Sequence, residues 1–211
     1  VIDYKGRKTA NGYKKGFSEK SPDVQKLIRE ALHIVQALGI PTDDLTDIRK
    51  EKIAMALLAV GDVKTSKDWA KIKDANKTYA VTTKQMIDFY NQHLEDSTSK
   101  GSYDYVLRHG LKRLLIAGIV VQSKPDSNLS DSTRGYKVSV EYSKIIRTYH
   151  QKDWEKQVDI FNRSHKTYAE RLAQKRDIPK ITVRTADGQE FQLKDGEHNQ
   201  IQQQIIQEFL P

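Results

Sequence analysis

The chain contains no cysteine among its 211 residues. Disulfides and thiolate zinc sites are therefore excluded, and a reducing compartment is compatible. Aromatic residues make up only 8% of the chain and hydrophobic residues 37%. No apolar run reaches the length of a membrane span, and no secretory leader is visible. His33, His93, His109, His150 and His165 show no metal-ligand spacing, and there is no glycine-rich phosphate loop, Ser-His-Asp set or nucleotide fingerprint. Acidic residues are also short: 28 Asp and Glu stand against 36 Lys and Arg, a net charge of +8. That balance favours a polyanionic partner. The chain opens on Val1 and stops at Pro211 directly after a patterned segment, so both ends read as cuts in a longer protein.

What is present is helical periodicity with small β segments. Residues 1–20 carry Lys5, Arg7, Lys8, Lys14, Lys15 and Lys20 against Asp3 and Glu19, and read as a basic, flexible arm that either lies along phosphates or stays disordered. Ser21-Pro22 opens a first helix, with Val24, Leu27, Ile28, Ala31, Leu32, Val35 and Leu38 as its stripe and Gly39 as its stop. It is expected to pack outside the unit that follows. A second helix runs from about Asp47 to Val60 with Ile53, Ala56, Leu57 and Val60 as its buried side. Trp69 and Ile72 anchor a short helix, Tyr79 to Val81 is a short strand, and Thr82 with Gln85 forms a capping box for a third helix bearing Met86, Ile87, Phe89 and Tyr90.

The segment from Ser99 to Tyr142 is the most informative. Ser102 is placed as an N-cap, with Asp104 in the first turn and Gly118 at the end. At about 100° per residue, Leu107, Leu111, Leu114 and Leu115 share one side, with Tyr103 at its edge. Tyr105, Arg108, His109, Lys112 and Arg113 share the other. Gly110 counts against a helix, at about 1 kcal/mol relative to Ala. Residues 119–123 and 135–140 read as paired strands around a polar tip. Helix, short strand, helix, helix, strand, strand is the order of a winged helix, whose third helix enters the major groove. The pattern fits equally an ordinary amphipathic helix with a solvated charged face.

Glu141 to Tyr149 reads as helical, and Asp153 to Lys175 as one longer linker helix with Trp154, Val158, Phe161, His165, Tyr168 and Leu172 inward. Ile181 to Arg184 and Glu190 to Leu193 alternate around Asp187-Gly188 as a hairpin, followed by a helix with Ile201, Ile205, Ile206 and Phe209. A hairpin and one helix are too little for an independent core. The fold class is thus mainly α with small β, in four parts. They are a basic arm (1–20), a winged helix-turn-helix domain with an extra N-terminal helix (21–150), a linker helix (151–177) and the truncated start of a further domain (178–211).

Three blocks carry a resemblance to a known family. The last runs through Arg176-Asp177-Ile178-Pro179, Asp187-Gly188, Gly196-Glu197-His198-Asn199-Gln200 and Ile205 to Pro211. The first is Ala54 to Lys64. Between them lie Gly101-Ser102-Tyr103-Asp104, Leu115 to Val120 and Thr133-Arg134-Gly135-Tyr136. Together they resemble the BsuBI/PstI-type restriction endonucleases from about residue 22 to the end. The resemblance implies a bacterial, cytoplasmic type II enzyme that recognises a short palindrome, CTGCAG in the named members. It implies hydrolysis of both strands with Mg²⁺, by a PD-(D/E)xK nuclease domain whose metal-binding strands lie downstream of Pro211. It also implies a homodimer when full length, with double-stranded DNA as partner, no membrane, and no cleavage by these residues alone.

In this nuclease class a Glu of the first core helix often faces the metal. Glu208 is the first candidate for that role and Glu197 the second. His198 beside Glu197 resembles a general base but is read as a structural residue. The candidate DNA contacts are Ser99, Lys100 and Ser102 before the central helix, Tyr105, Arg108, His109, Lys112 and Arg113 on it, and Lys124 and Arg134 flanking the wing. The rivals are a winged-helix transcription regulator without nuclease activity and a protein-interaction module whose charge is incidental.

Overall fold

The structure is a computed structural model that describes residues 2–9, 12–75, 79–124, 134–176, 180–184 and 190–194. Two compact units divide at Tyr168/Ala169. In the first, helix α1 (Pro22–Ala37) packs along α2 (Asp47–Gly61). Helix α3 (Thr83–His93) starts with the capping box expected from its sequence: the Gln85 N–H donates to Thr82 Oγ1 at 3.3 Å, and the Thr82 N–H donates to Gln85 Oε1 at 2.9 Å.

Helix α2 differs from its one-sided reading. Every residue from Glu51 to Gly61 is buried. Its neighbours are α1, α3, the strand Tyr136–Val138 and the helical segments that follow residue 102. A helix apolar all round is a core helix, not a surface one. For the same reason α1 is a wall of the core rather than an external addition: Leu27, Ile28, Ala31, Ile34 and Val35 are all nearly inaccessible.

Residues 103–117 are helical throughout, as α4 (Tyr103–Tyr105), a π-helical stretch (Val106–Leu111) and α5 (Lys112–Ala117), closed by Gly118 at φ 75°. The π stretch shifts the phase of the expected wheel. Val106, Gly110, Leu111 and Leu114 face inward, while Leu107 and Leu115 are half-buried and Tyr103 is exposed. Gly110 has a packing reason. A Cβ there would lie 3.1 Å from Ala56 Cβ and 3.2 Å from the Lys52 carbonyl oxygen, so any side chain at this position would press the helix away from α2.

Strands β3 (Val120–Gln122) and β4 (Tyr136–Val138) pair antiparallel, and Val81 bridges to Tyr136 from the other edge. Helix α6 (Val140–Ile146) is capped by Ser139, whose Oγ accepts from the Tyr142 N–H. The expected single helix over 153–175 is broken. α7 (Trp154–Ser164) ends where His165 turns extended, and α8 (Tyr168–Arg176) begins afresh. α7 is no linker. Trp154 and Val158 are buried, the Trp154 indole donates to the Ile145 carbonyl at 3.1 Å, and the Asn162 amide donates to the Ala37 carbonyl at 2.8 Å. The first unit therefore reaches past residue 150 to Tyr168. In the second unit, β5 (Lys180–Arg184) and β6 (Glu190–Lys194) pair antiparallel as expected, with Ile181 opposite Leu193 and Val183 opposite Phe191.

The first 20 residues are not a free arm. Ile2 and Phe17 are fully buried, and residues 7–9 and 12–14 pair as a two-stranded ribbon, β1 (Arg7–Thr9) and β2 (Gly12–Lys14). Their composition concealed this because part of the charge that looked solvated is paired with acids from elsewhere in the chain, Lys20 in the interior and Lys14 and Lys15 nearer the surface. Lys20 and Glu51, both almost inaccessible, lie 3.4 Å apart, and the Tyr4 hydroxyl donates to Glu51. Asp96 receives Lys52 and, at 3.1 Å, Lys14. Burial alone would raise the Asp96 pKa, but the ammonium groups of Lys52, Lys14 and Lys20 hold it well below the ordinary carboxylate range.

Two stability predictions arise. Asp96→Asn strands Lys52 without its counter-charge and should cost roughly 3 kcal/mol in urea denaturation at pH 7. Because the folded-state pKa of Asp96 is lowered, its contribution is complete above the unfolded value of about 4 and is lost as pH falls below it. The native chain should therefore lose stability below that point, and the variant should show a shallower acid slope. Gly110→Val should lower stability by about 2 kcal/mol through overpacking. Gly101→Ala, with nothing within 4 Å of the added Cβ, should leave the melting temperature unchanged.

Candidate nucleic-acid interface

The 103–117 helix buries one side against α2 and turns the other outward. On the outer side Arg108 and Lys112 are exposed, and Tyr105, His109 and Arg113 are half-buried. Tyr105 and His109, one turn apart, hold their rings 4.6 Å between centroids. Burial, reinforced by Arg49 and Arg108 and opposed by Asp104, lowers the His109 pKa below its ordinary value. The ring is therefore neutral at pH 7 and offers one donor and one acceptor rather than a charge. Burial raises the Tyr105 pKa, so its hydroxyl stays protonated.

The cations of this face are not equivalent. Arg108 Nε contacts Asp104 Oδ1 at 2.8 Å, but both side chains are about 70% exposed (71% and 68%). Such a surface i,i+4 pair is worth about 0.3–0.5 kcal/mol, so an incoming phosphate displaces it readily. Lys112 has no ion-pair partner among the described residues. Arg113 is committed internally: its guanidinium forks onto the Asp44 carboxylate and also donates to the Pro41 carbonyl. That bond holds the Asp44 carboxyl below its usual pKa. Arg113 thus ties the α1–α2 connection to α5.

Before the helix, Ser99 and Lys100 are exposed, and the Ser99 and Ser102 hydroxyls lie 2.7 Å apart. The Ser102 side chain makes no cap bond, although its carbonyl accepts the Val106 N–H at 3.1 Å. Beyond β3 Lys124 is exposed, whereas Arg134, ahead of β4, is only 5% exposed. Arg134 sits beside Tyr136, where its charge opposes the rise in phenol pKa that burial causes. The expectation that it follows a phosphate backbone is therefore corrected: an inaccessible guanidinium has no surface from which to do so. Glu197, His198 and Glu208 lie outside the described residues. Among the described residues, no three His, Asp or Glu side chains converge to hold a cation.

One residue was missed from the sequence, and two cations of the N-terminal arm act at a place the sequence did not indicate. Arg49, exposed in the first turns of α2, lies close enough to His109 to affect its titration. It was hidden inside a segment read only for its apolar stripe. Lys14 and Arg7, from the ribbon, act on Tyr105 in the same way, and only long-range packing brings them there. Among the described residues, no helix is long and apolar enough to cross a membrane.

Two known proteins are similar to this chain. Type II restriction enzyme BsuBI of Bacillus subtilis is 24% identical over 186 residues, 87% of this chain and 56% of that protein. The structure of SdaI restriction endonuclease matches with a TM-score of 0.54 and 22% identity, over 89% of this chain and 58% of that one. At this identity the likeness to SdaI is one of fold. The chain spans a little over half the length of the relatives it matches. Residues 25–170, which include both the outward-facing helix and the all-round-buried α2, match the model of the BsuBI/PstI restriction endonuclease HTH domain, and the chain belongs to that family.

Proposed function

We propose that this chain is the DNA-binding part of a type II restriction endonuclease, arranged as a winged helix and followed by the first elements of a PD-(D/E)xK nuclease domain. The observation that carries the reading is the outward side of the 103–117 helix, where Arg108, His109 and Lys112 stand over a buried inner side. A rigid helix with one cationic face is what a major groove admits. Lys112 and Arg108 contact phosphates or the O6/N7 edge of guanine, and Tyr105 and neutral His109 supply uncharged hydrogen bonds. Ser99, Lys100 and Ser102 meet phosphate at the start of the helix, and Lys124 does so at the wing. Arg113 acts from behind, through Asp44.

The target is a short palindrome, CTGCAG by resemblance to the family. The full-length enzyme reads it as a homodimer, because a twofold site calls for a twofold protein. It works in the bacterial cytoplasm and hydrolyses both strands with Mg²⁺. Hydrolysis belongs to the part of the relatives that this chain does not span. The described residues do not fit a metal, so no cleavage step is assigned to them. Glu208 first and Glu197 second remain the proposed acidic contributors to that site.

Fluorescence anisotropy with a CTGCAG duplex and a scrambled duplex tests the reading. Arg108→Ala with Lys112→Ala should weaken binding and reduce the slope of log K against log salt by about 2, near 0.9 per lost phosphate contact. Arg113→Ala should move affinity less than Lys112→Ala, because its guanidinium is already committed. Binding that ignores both salt and these substitutions overturns the reading and favours a protein partner. With Mg²⁺, the 211-residue chain should leave plasmid DNA intact; site-specific cutting would refute the division of labour.

A further inference from the structure

The N-terminal ribbon lies outside the 25–170 family match. Its base is clasped from several sides. Glu19 accepts the N–H of Gly6 at 3.0 Å and of Gly16 at 2.7 Å, joining the two legs. The Ser18 hydroxyl and N–H both donate to the Tyr4 carbonyl, at 2.8 and 3.2 Å. Tyr4 is bound to the buried Glu51. At Gly16 the legs cross so closely that a Cβ would lie 2.2 Å from the Lys5 carbonyl carbon. This ribbon is held in place before any ligand arrives.

Its charges divide into two sets. Lys14 and Lys15 are ion-paired, each at 3.1 Å, with Asp96 and Glu95. Those acids precede Ser99 and the start of the 103–117 helix, so the ribbon is anchored at the entrance to the candidate interface. Lys5, Arg7 and Lys8 are exposed, and no carboxylate pairs with them among the described residues. The register sets Arg7 directly opposite Lys14. Like charges facing each other across strands are unfavourable. Asp96 relieves Lys14, which leaves Arg7 as a cation in need of an external anion.

We infer that the β1–β2 ribbon is a second DNA-binding element, in which Lys5, Arg7 and Lys8 engage duplex phosphates beside the groove occupied by the 103–117 helix. This rests on the DNA-binding reading above and extends it to a surface outside the family domain. Duplex phosphate is the occupant because Lys5, Arg7 and Lys8 stand exposed without a paired carboxylate among the described residues, on a ribbon tied through Lys14 and Lys15 to Asp96 and Glu95 just ahead of the cationic helix. Because the ribbon is pre-positioned, contact costs little ordering entropy.

The test uses the 211-residue chain, a CTGCAG duplex with long flanks, and titrations over a range of salt. A triple variant, Lys5→Ala with Arg7→Ala and Lys8→Ala, removes only exposed side chains and should keep its melting temperature. It should bind at least about fivefold more weakly near 0.1 M salt, and its log K–log salt slope should fall by about 2 to 3. Gly16→Ala, which forces the crossing apart, should show a comparable loss of affinity. Unchanged affinity and slope in the triple variant, while Arg108→Ala with Lys112→Ala weakens binding, overturns the ribbon inference alone. No effect from either set overturns the DNA reading with it. Weaker binding at an unchanged slope also overturns the inference, since phosphate contact must alter the slope.

Discussion

Buried charge that must be paired organises this molecule. Glu51 and Lys52 sit in the second turn of α2, and both are almost inaccessible. Removing one partner of such a pair leaves an uncompensated charge in a low dielectric, typically a loss of about 3–5 kcal/mol. Their partners come from distant segments: Tyr4 and Lys20 from the N-terminal region, and Asp96 from the connection after α3. The same connection is held by Asn91, whose side chain exchanges hydrogen bonds with Thr98 at 2.9 Å in both directions. Residue 102, where the cationic helix begins, is thus fixed through ion pairs to the axis of the core. Burial also lowers the Lys20 pKa, and Glu51 and Asp96 oppose that effect.

The elements that were legible in the sequence have local causes. The Thr82–Gln85 capping box, the start of α1 at Ser21-Pro22, the stop at Gly118 and the alternation of the 180–194 hairpin each depend on a few neighbouring residues. The misreadings arise where tertiary packing decides. The apolar stripe of α2 is real, but its polar residues 51 and 52 are also buried because their partners lie more than 30 positions away. The N-terminal 20 residues look solvated when their lysines are counted without Glu51, Glu95 and Asp96. Gly110 looks like a helix-breaker until Ala56 is placed against it. The break at His165 has no proline or glycine to announce it. The exposed Arg108 and Lys112 were legible because a helical wheel places them directly. The commitment of Arg113 to Asp44 and the burial of Arg134 depend on contacts that no wheel contains.

These corrections sharpen the electrostatics of the candidate interface. A net charge of +8 says little about where an anion binds. The structure sorts cations by what already neutralises them. Lys20, Lys52 and Lys14 answer buried carboxylates, Arg147 answers Asp74, and Arg113 answers Asp44. Those left exposed on the ribbon and on the outward helix are Lys5, Arg7, Lys8, Arg108 and Lys112. These cations, of which Arg108 shares a weak surface pair with Asp104, lie on elements that the buried ion pairs hold together, while others such as Lys26, Lys67 and Lys84 are exposed elsewhere.

That coupling has a physical rationale under the proposed DNA-reading role. Phosphate contacts supply affinity, whereas base-edge contacts discriminate only if the reading helix holds its register against the groove. Apolar packing sets a helix's position through shape complementarity alone, without directional bonds. A helix whose leading loop is bonded through Asp96 to Lys52, and whose trailing segment is forked through Arg113 to Asp44, has its position defined at both ends by directional contacts. The close approach at Gly110 fixes its depth. The stability spent on burying four charges is thus recovered as geometric precision at the surface proposed to face DNA.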